Sequence, residues 1–213
     1  MTAPEPGATL AGMDGLYALK PWYAARLGGV RSVLVRRRVS PDAVTAAGVL
    51  AGGAAGAALA LTGAGPGAAW ILSEPGPAAG LLVAFLLAVR LACANLDGAI
   101  ARETGRGTRW GAVLNELGDR AAELAALAGC LALAPAWLVA AAALAATLPS
   151  WAALAGAAAG GPRPQGGPVG KTERCLLLAL VAFTGWAVPL LAVIAAGSLL
   201  TAAVRLERTR RAL

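Results

Sequence analysis

The chain has no histidine among its 213 residues, and Asp, Glu, Lys and Arg together make up only 14% of it. Without histidine, imidazole acid–base catalysis and His metal ligands are excluded, and any such chemistry falls to carboxylates. An ordinary soluble domain is about one quarter charged, so this chain is short of the residues that keep a surface in water. Aromatic residues are scarce too, at 5%, which argues against a β-barrel with its aromatic girdles. The three cysteines, Cys93, Cys130 and Cys175, lie in or beside apolar stretches without metal-ligand spacing. They read as small packing residues, and no disulfide is implied.

What fills the chain instead is Ala, Leu, Gly and Val, giving 58% hydrophobic residues and a mean hydropathy of +0.69. This composition predicts an integral membrane protein of the all-α class, its helices packed closely through small residues. A helix needs roughly 20 apolar residues to cross a bilayer. Counted against that length, spans are predicted at Ala43–Gly63, Ala78–Ile100, Trp110–Ala134 and Pro135–Ala159, the last kinked at Pro149. The run Cys175–Val204 is too long for one span and short for two; Gly185 and Pro189 break it, so two short or tilted helices are expected and six spans in all.

Charge placement agrees with an even number. Basic residues cluster in Lys20–Arg38, Arg102–Arg109, Arg163–Arg174 and Arg205–Arg211, while the loops near Glu74, Pro135 and Gly185 carry none. Six spans put all four clusters on one side, which the positive-inside rule makes cytoplasmic, together with both termini. The net charge of +7 is then topology signal and attraction to anionic lipid; split into four juxtamembrane clusters, it does not describe a nucleic-acid surface. Residues 1–15 are rich in Pro and Gly, are expected to be disordered, and lack the basic start and apolar core of a signal peptide. Residues 16–39 mix aromatic, aliphatic and basic side chains in the manner of an interfacial amphipathic helix. Residues 40–205 form the predicted six-helix transmembrane domain, and 206–213 a basic cytoplasmic tail.

Against this background one stretch stands out, "NLDGAIARETGRGTRWGAVLNELGDRAAE" from Asn95 to Glu123. An ionised Asp or Glu at the centre of a spanning helix costs roughly 2.5–3.5 kcal/mol on insertion scales, so a group of them marks function by default. Asn115, Asp119 and Glu123 recur every four residues, which stacks them on one helical face with Glu116 beside them. Asp97 comes from the end of the preceding helix. Acidic oxygens converging from two helices, with arginines nearby and no soft ligands, describe a hard-cation site for Mg²⁺ or Mn²⁺ holding phosphates. Gly98 and Gly111 remove side chains where a ligand would approach backbone.

Asp97-Gly98, Ala101-Arg102, Gly111, Asn115 and Asp119 stand at the spacing of a longer signature: Asp, two residues, Asp-Gly, two residues, Ala-Arg, eight residues, Gly, three residues, Asp, three residues, Asp. The chain resembles the CDP-alcohol phosphotransferases, and "SPDAVTAAG" ahead of the first span is similar to that family's Pro-Asn-x-x-Thr-x-x-Gly entry. Two positions depart: Ala94 and Asn115 stand where the signature has aspartates. The resemblance implies the six-helix architecture and transfer of a phosphatidyl or other phospho-alcohol group from a CDP-alcohol, foremost CDP-diacylglycerol, to a hydroxyl acceptor with release of CMP. In the family, four aspartates hold a pair of divalent metals. Carried over, Asp97, Asn115 and Asp119 would be metal ligands and Asp119 also the base, while Gly98, Ala101, Arg102 and Gly111 would line the nucleotide. Glu116, as a ligand, and Glu123, as a catalytic acid, would replace the lost charge. Arg163, Lys171 and Arg174 suit an acidic acceptor such as a polyol phosphate, although topology alone would also put cations there. A homodimer in a bacterial cytoplasmic membrane is implied as well.

Three other readings compete. The cluster could be a buried ion network, or belong to a degenerate member that binds a nucleotide-lipid or a partner without turnover. A small transporter would instead spread charge along several helices at mid-membrane.

Overall fold

In the computed structural model, residues 16, 20–64, 72 and 74–213 are described; the expected disorder of residues 1–15 lies outside them. Among the described residues the chain is helical without a strand. The helices are α1 (Lys20–Arg26), α2 (Gly28–Arg36), α3 (Pro41–Thr62), α4 (Pro77–Glu103), α5 (Arg109–Ala128), α6 (Ala136–Ala158), α7 (Lys171–Thr184) and α8 (Ala187–Ala212).

Local chemistry sets their limits. Ser40 caps α3 by accepting the Ala43 N–H at 3.2 Å ahead of Pro41, and Thr108 caps α5 by accepting that of Gly111 at 2.8 Å, both N-cap devices. Gly185, at φ +74°, ends α7 in the left-handed conformation that glycine adopts without strain. The break expected in the run Cys175–Val204 therefore lies at Thr184–Trp186, with Pro189 tolerated in the first turn of α8. The expected interfacial helix over 16–39 is two short helices joined at Leu27, where the Gly28–Gly29 pair lowers helix propensity. The stretch 206–213 continues α8, supported by Glu207 pairing with Arg210 and Arg211 at i+3 and i+4.

Four helices, α3, α4, α6 and α8, are long and apolar enough to cross a membrane. That is fewer than the six spans expected. At 1.5 Å per residue, the 14-residue α7 reaches only about 21 Å of a hydrocarbon core roughly 30 Å thick. Helix α5 carries Glu116, Asp119, Arg120 and Glu123 within its length and stops at Ala128, where a 3₁₀ turn, Gly129–Ala132, takes over.

Helix α3 packs along both α4 and α5, α6 against α8, and α4 against α7. The contact between α3 and α5 is backbone to backbone. A methyl group at Gly52 would lie 2.6 Å from the Ala122 carbonyl oxygen, one at Gly56 2.1 Å from that of Ala125, and one at Gly129 2.1 Å from that of Gly56. Small residues thus bring α5 close enough for its polar face to reach α3 and α4. The largest apolar cluster includes Leu59, Leu87, Leu127, Leu191 and Ile194. The polar residues collect at one end of the bundle, where α4, α6 and α8 finish and α5 and α7 begin.

Gly56→Leu should break the α3–α5 contact and cost at least roughly the 1–3 kcal/mol of an overpacked core, whereas Gly53→Leu, with nothing within 4 Å of the added carbon, should be neutral. Thermal unfolding of the two purified variants checks this; equal melting temperatures would contradict the close contact.

Candidate active site

Asp97 sits on α4, only 3% exposed. Its Oδ2 accepts from Thr45 Oγ1 of α3 at 2.9 Å, and its Oδ1 from the Gly98 N–H at 2.6 Å. Thr45 can reach it because α5 presents glycine on the other side: a methyl group at Gly118 would lie 2.8 Å from Thr45 Cγ2. Asp97, Asn115 and Asp119 line one gap of about 10 Å³, the size of a single water site. The Asn115 amide makes no hydrogen bond among the described residues, and Asp119 Oδ2 is paired with Lys171 from the start of α7.

Ala94, Asn115 and Asp119 also border a second, larger cavity of about 420 Å³. It is ringed by five cationic side chains, Arg120, Arg163, Lys171, Arg174 and Arg205, against three acidic ones, Glu116, Asp119 and Glu173. The excess of cations suits an anionic occupant. Several are fixed in place. Arg205 donates to the carbonyls of Gly166 at 3.0 Å and Pro149 at 2.8 Å, and Arg174 to that of Val169 at 3.0 Å. Glu173 accepts the Gly170 N–H at 3.0 Å at the head of α7, a negative side chain placed at the positive end of the helix dipole.

Behind the wall of this cavity lies a buried charge cluster. Glu123, 4% exposed, takes Arg174 Nε on Oε1 at 2.6 Å and pairs with Arg120 through Oε2. Arg90, 2% exposed in the middle of α4, donates to the Asp119 carbonyl at 3.0 Å and to Cys175 Sγ at 3.2 Å. The Nε atoms of Arg90 and Arg120 are buried without a partner among the described residues.

The site residues anticipated from sequence therefore divide. Asp97, Asn115 and Asp119 come together. Glu116 faces the larger cavity and pairs with Arg163, while Glu123 lies between its arginines and lines neither cavity. Helical geometry explains the divergence: each four-residue step turns the face by about 40°, so Glu123 is rotated about 80° from Asn115, and Glu116 about 100°. Arg163, Lys171 and Arg174 do meet around the cavity. Gly98, Ala101, Arg102 and Gly111 line neither cavity; a methyl group at Gly98 would lie 3.3 Å from Arg102 Nη1, and one at Gly111 3.5 Å from Asp42 Oδ1. Sequence reasoning overlooked Arg90, Thr45 and Arg205. Arg90 was signalled by a lone charge inside an apolar run; Thr45 lay within the entry segment; Arg205 was hidden among basic residues read as topology.

The side-chain oxygens around the gap are those of two carboxylates, an amide and the Thr45 hydroxyl, and the Arg90 guanidinium shares its lining. Among the described residues no three Asp, Glu, Cys or His side chains converge at metal-binding distance. One hard cation held by one or two carboxylates, with phosphate and water completing its shell, fits such a set.

The family profile for CDP-alcohol phosphatidyltransferase matches residues 38–205. The chain belongs to that family. Within it, the Mycobacterium tuberculosis phosphatidylinositol phosphate synthase PgsA1 is similar in structure. Its crystal structure with manganese and citrate gives a TM-score of 0.62 at 26% identity, covering 85% of this chain and 88% of that one. The structure with CDP-DAG bound gives 0.62 at 27% identity, covering 85% and 92%. In sequence, the Escherichia coli inner membrane protein YnbA is 35% identical over 102 residues, 47% of this chain and 51% of that protein. The chain thus spans about half the length of the curated relative it matches.

The buried cluster yields a direct test. Removing one partner of a buried ion pair costs roughly 3–5 kcal/mol, so Glu123→Gln should lower the melting temperature of the purified protein sharply, while Glu116→Gln, whose partner Arg163 is 45% exposed, should barely change it. Similar melting temperatures for both would remove Glu123 from the structural frame.

Proposed function

We propose that the chain transfers a phosphatidyl group, or another phospho-alcohol group, from a CDP-alcohol to a hydroxyl acceptor and releases CMP. The single observation that carries this is the meeting of Asp97 and Asp119, from two helices, at a gap that shares Ala94 and Asn115 with a cation-ringed cavity. CDP-diacylglycerol is the favoured donor, supported by the CDP-DAG bound in the M. tuberculosis enzyme.

Asp97, Asn115 and Asp119 would hold Mg²⁺ or Mn²⁺, and the manganese in the related crystal structure supports that choice. Such an ion, when bound, neutralises pyrophosphate charge and the leaving CMP. Gly98, Ala101, Arg102 and Gly111, which line neither cavity, would face the nucleotide. The acceptor would enter that cavity. Arg163, Lys171 and Arg174 orient an acidic acceptor such as a polyol phosphate, and Asp119 accepts the proton of its hydroxyl as the oxygen bonds to phosphorus and the bond to CMP breaks. Glu123, placed in the sequence reading as a catalytic acid, would instead act through Arg174, whose guanidinium it fixes at the cavity wall.

The same reading includes six crossings with both termini cytoplasmic in a bacterial cytoplasmic membrane, α5 and α7 being sheltered by the four apolar helices, the helices α1 and α2 at the interface, and a homodimer. Reporter fusions after Arg211 and near Glu74 should lie on opposite sides. A second reading, nucleotide-lipid binding without turnover, is favoured by the Lys171–Asp119 pair, which already neutralises the proposed base.

Incubation of the purified protein with radiolabelled CDP-diacylglycerol, Mn²⁺ or Mg²⁺ and a panel of alcohols and polyol phosphates should release CMP. Asp97→Asn and Asp119→Asn should each reduce the rate at least about 100-fold, the scale of a lost general base or metal ligand, and excess chelator should abolish it. No CMP release with any acceptor would leave the binding reading.

A further inference from the structure

Lys171 is the first residue of α7, and its ammonium reaches across to Asp119 on α5. The pair is not a surface contact: the two side chains are 27% and 18% exposed; Asp119 borders both the small gap and the large cavity, and Lys171 borders the large cavity. On the far side of Asp119, the Arg90 guanidinium binds its main-chain carbonyl at 3.0 Å. Ala94, which borders both cavities, offers no oxygen there, and Asn115 offers only a neutral amide.

These charges limit what the gap can hold. Asp97 and Asp119 supply two negative charges; Arg90, on the lining of the gap, and Lys171, bound to Asp119 from the larger cavity, bring two positive charges tethered to the chain. One divalent ion can bind by using Asp97, whose two oxygens each accept one hydrogen bond and keep a second acceptor position. The unbonded Asn115 amide and ligand phosphate and water complete its shell. A second divalent ion would have to sit on Asp119 against an ammonium already bound to it, and like charges at that distance repel.

We propose that Lys171 is a tethered cation that takes up Asp119 in place of a dissociable ion, so that this site binds one divalent cation per chain. The inference rests on the metal-assisted transfer reading above and alters it in one respect: the ion is held by Asp97 and Asn115, and Asp119 is not one of its ligands. It gives Lys171 a role distinct from contact with an acceptor: its charge is present at any metal concentration, so occupancy rises with a single-site dependence on metal.

The test is a Mn²⁺ titration of the purified full-length protein in detergent, without nucleotide, counting bound ions by equilibrium dialysis and by the loss of the free-ion EPR signal. The wild type should bind one Mn²⁺ per chain, and Asp97→Asn should bind none. Lys171→Met should take up a second ion or bind the first about tenfold more tightly, as expected for removing a neighbouring positive charge. Lys171→Arg, which keeps the charge, should stay at one ion with near wild-type affinity. Two ions or none in the wild type would overturn the proposal, and so would Lys171→Met with unchanged count and affinity. Should Lys171→Met fail to fold, the wild-type count and Lys171→Arg still decide. CMP release by a wild type that binds two ions would sink this inference alone, whereas absence of CMP release with one ion bound would leave it standing and remove the turnover reading.

Discussion

A guanidinium buried in the middle of an apolar helix is the constraint on which the site depends. Burying Arg90 without partners would cost several kcal/mol, and the fold meets that demand by bringing α5 and α7 to it: one nitrogen takes the Asp119 carbonyl and the other Cys175. Three helices are thereby tied at one point. The turn of α5 that is held carries Asp119, and the turn of α7 that is held carries Lys171 and Arg174. Glu123 then offsets the positive charge gathered there, taking Arg174 on one oxygen and Arg120 on the other.

The tie works only because the other side of α5 has no bulk. Gly52, Gly56 and Gly118 let α5 lie against α3 at backbone distance, and Thr45 of α3 then holds Asp97 across the gap. A chain of small residues on one face and a charged knot on the other press the same helix from both sides. In this arrangement the carboxylates are fixed before any ligand arrives, which is the kind of preorganisation that electrostatic stabilisation of a transferring phosphoryl group requires.

Much of this was legible in the sequence. Helix class, the positions of α3, α4 and α6 and the break at Gly185 follow from composition, apolar run length and punctuation by Gly and Pro, whereas the first turn of α7 and the end of α8 lie in basic stretches read as loop and tail. That Asp97 and Asp119 would meet was expected from spacing, and the family followed from the same residues. What spacing could not supply was orientation. The four-residue recurrence of Asn115, Asp119 and Glu123 placed all three on one face, yet the residual rotation of a 3.6-residue helix carried Glu123 to the arginines of α7 and α5. Arg90 and Arg174 are contacts between elements distant in sequence, and no local pattern announces which cation will meet which acid. Four of the six expected crossings are long and apolar enough to span by themselves; hydropathy alone does not separate a span from a charged helix such as α5 sheltered by its neighbours.

The most direct measurement is therefore the melting temperature of Arg90→Lys beside Arg90→Met in the purified protein. A lysine has the charge but not the planar fork that reaches a carbonyl on α5 and a thiol on α7 at once. Both variants should melt well below the wild type, with lysine recovering little of the loss. Wild-type melting in either variant, or full recovery by lysine, would contradict the claim that this one guanidinium holds the three helices of the site together.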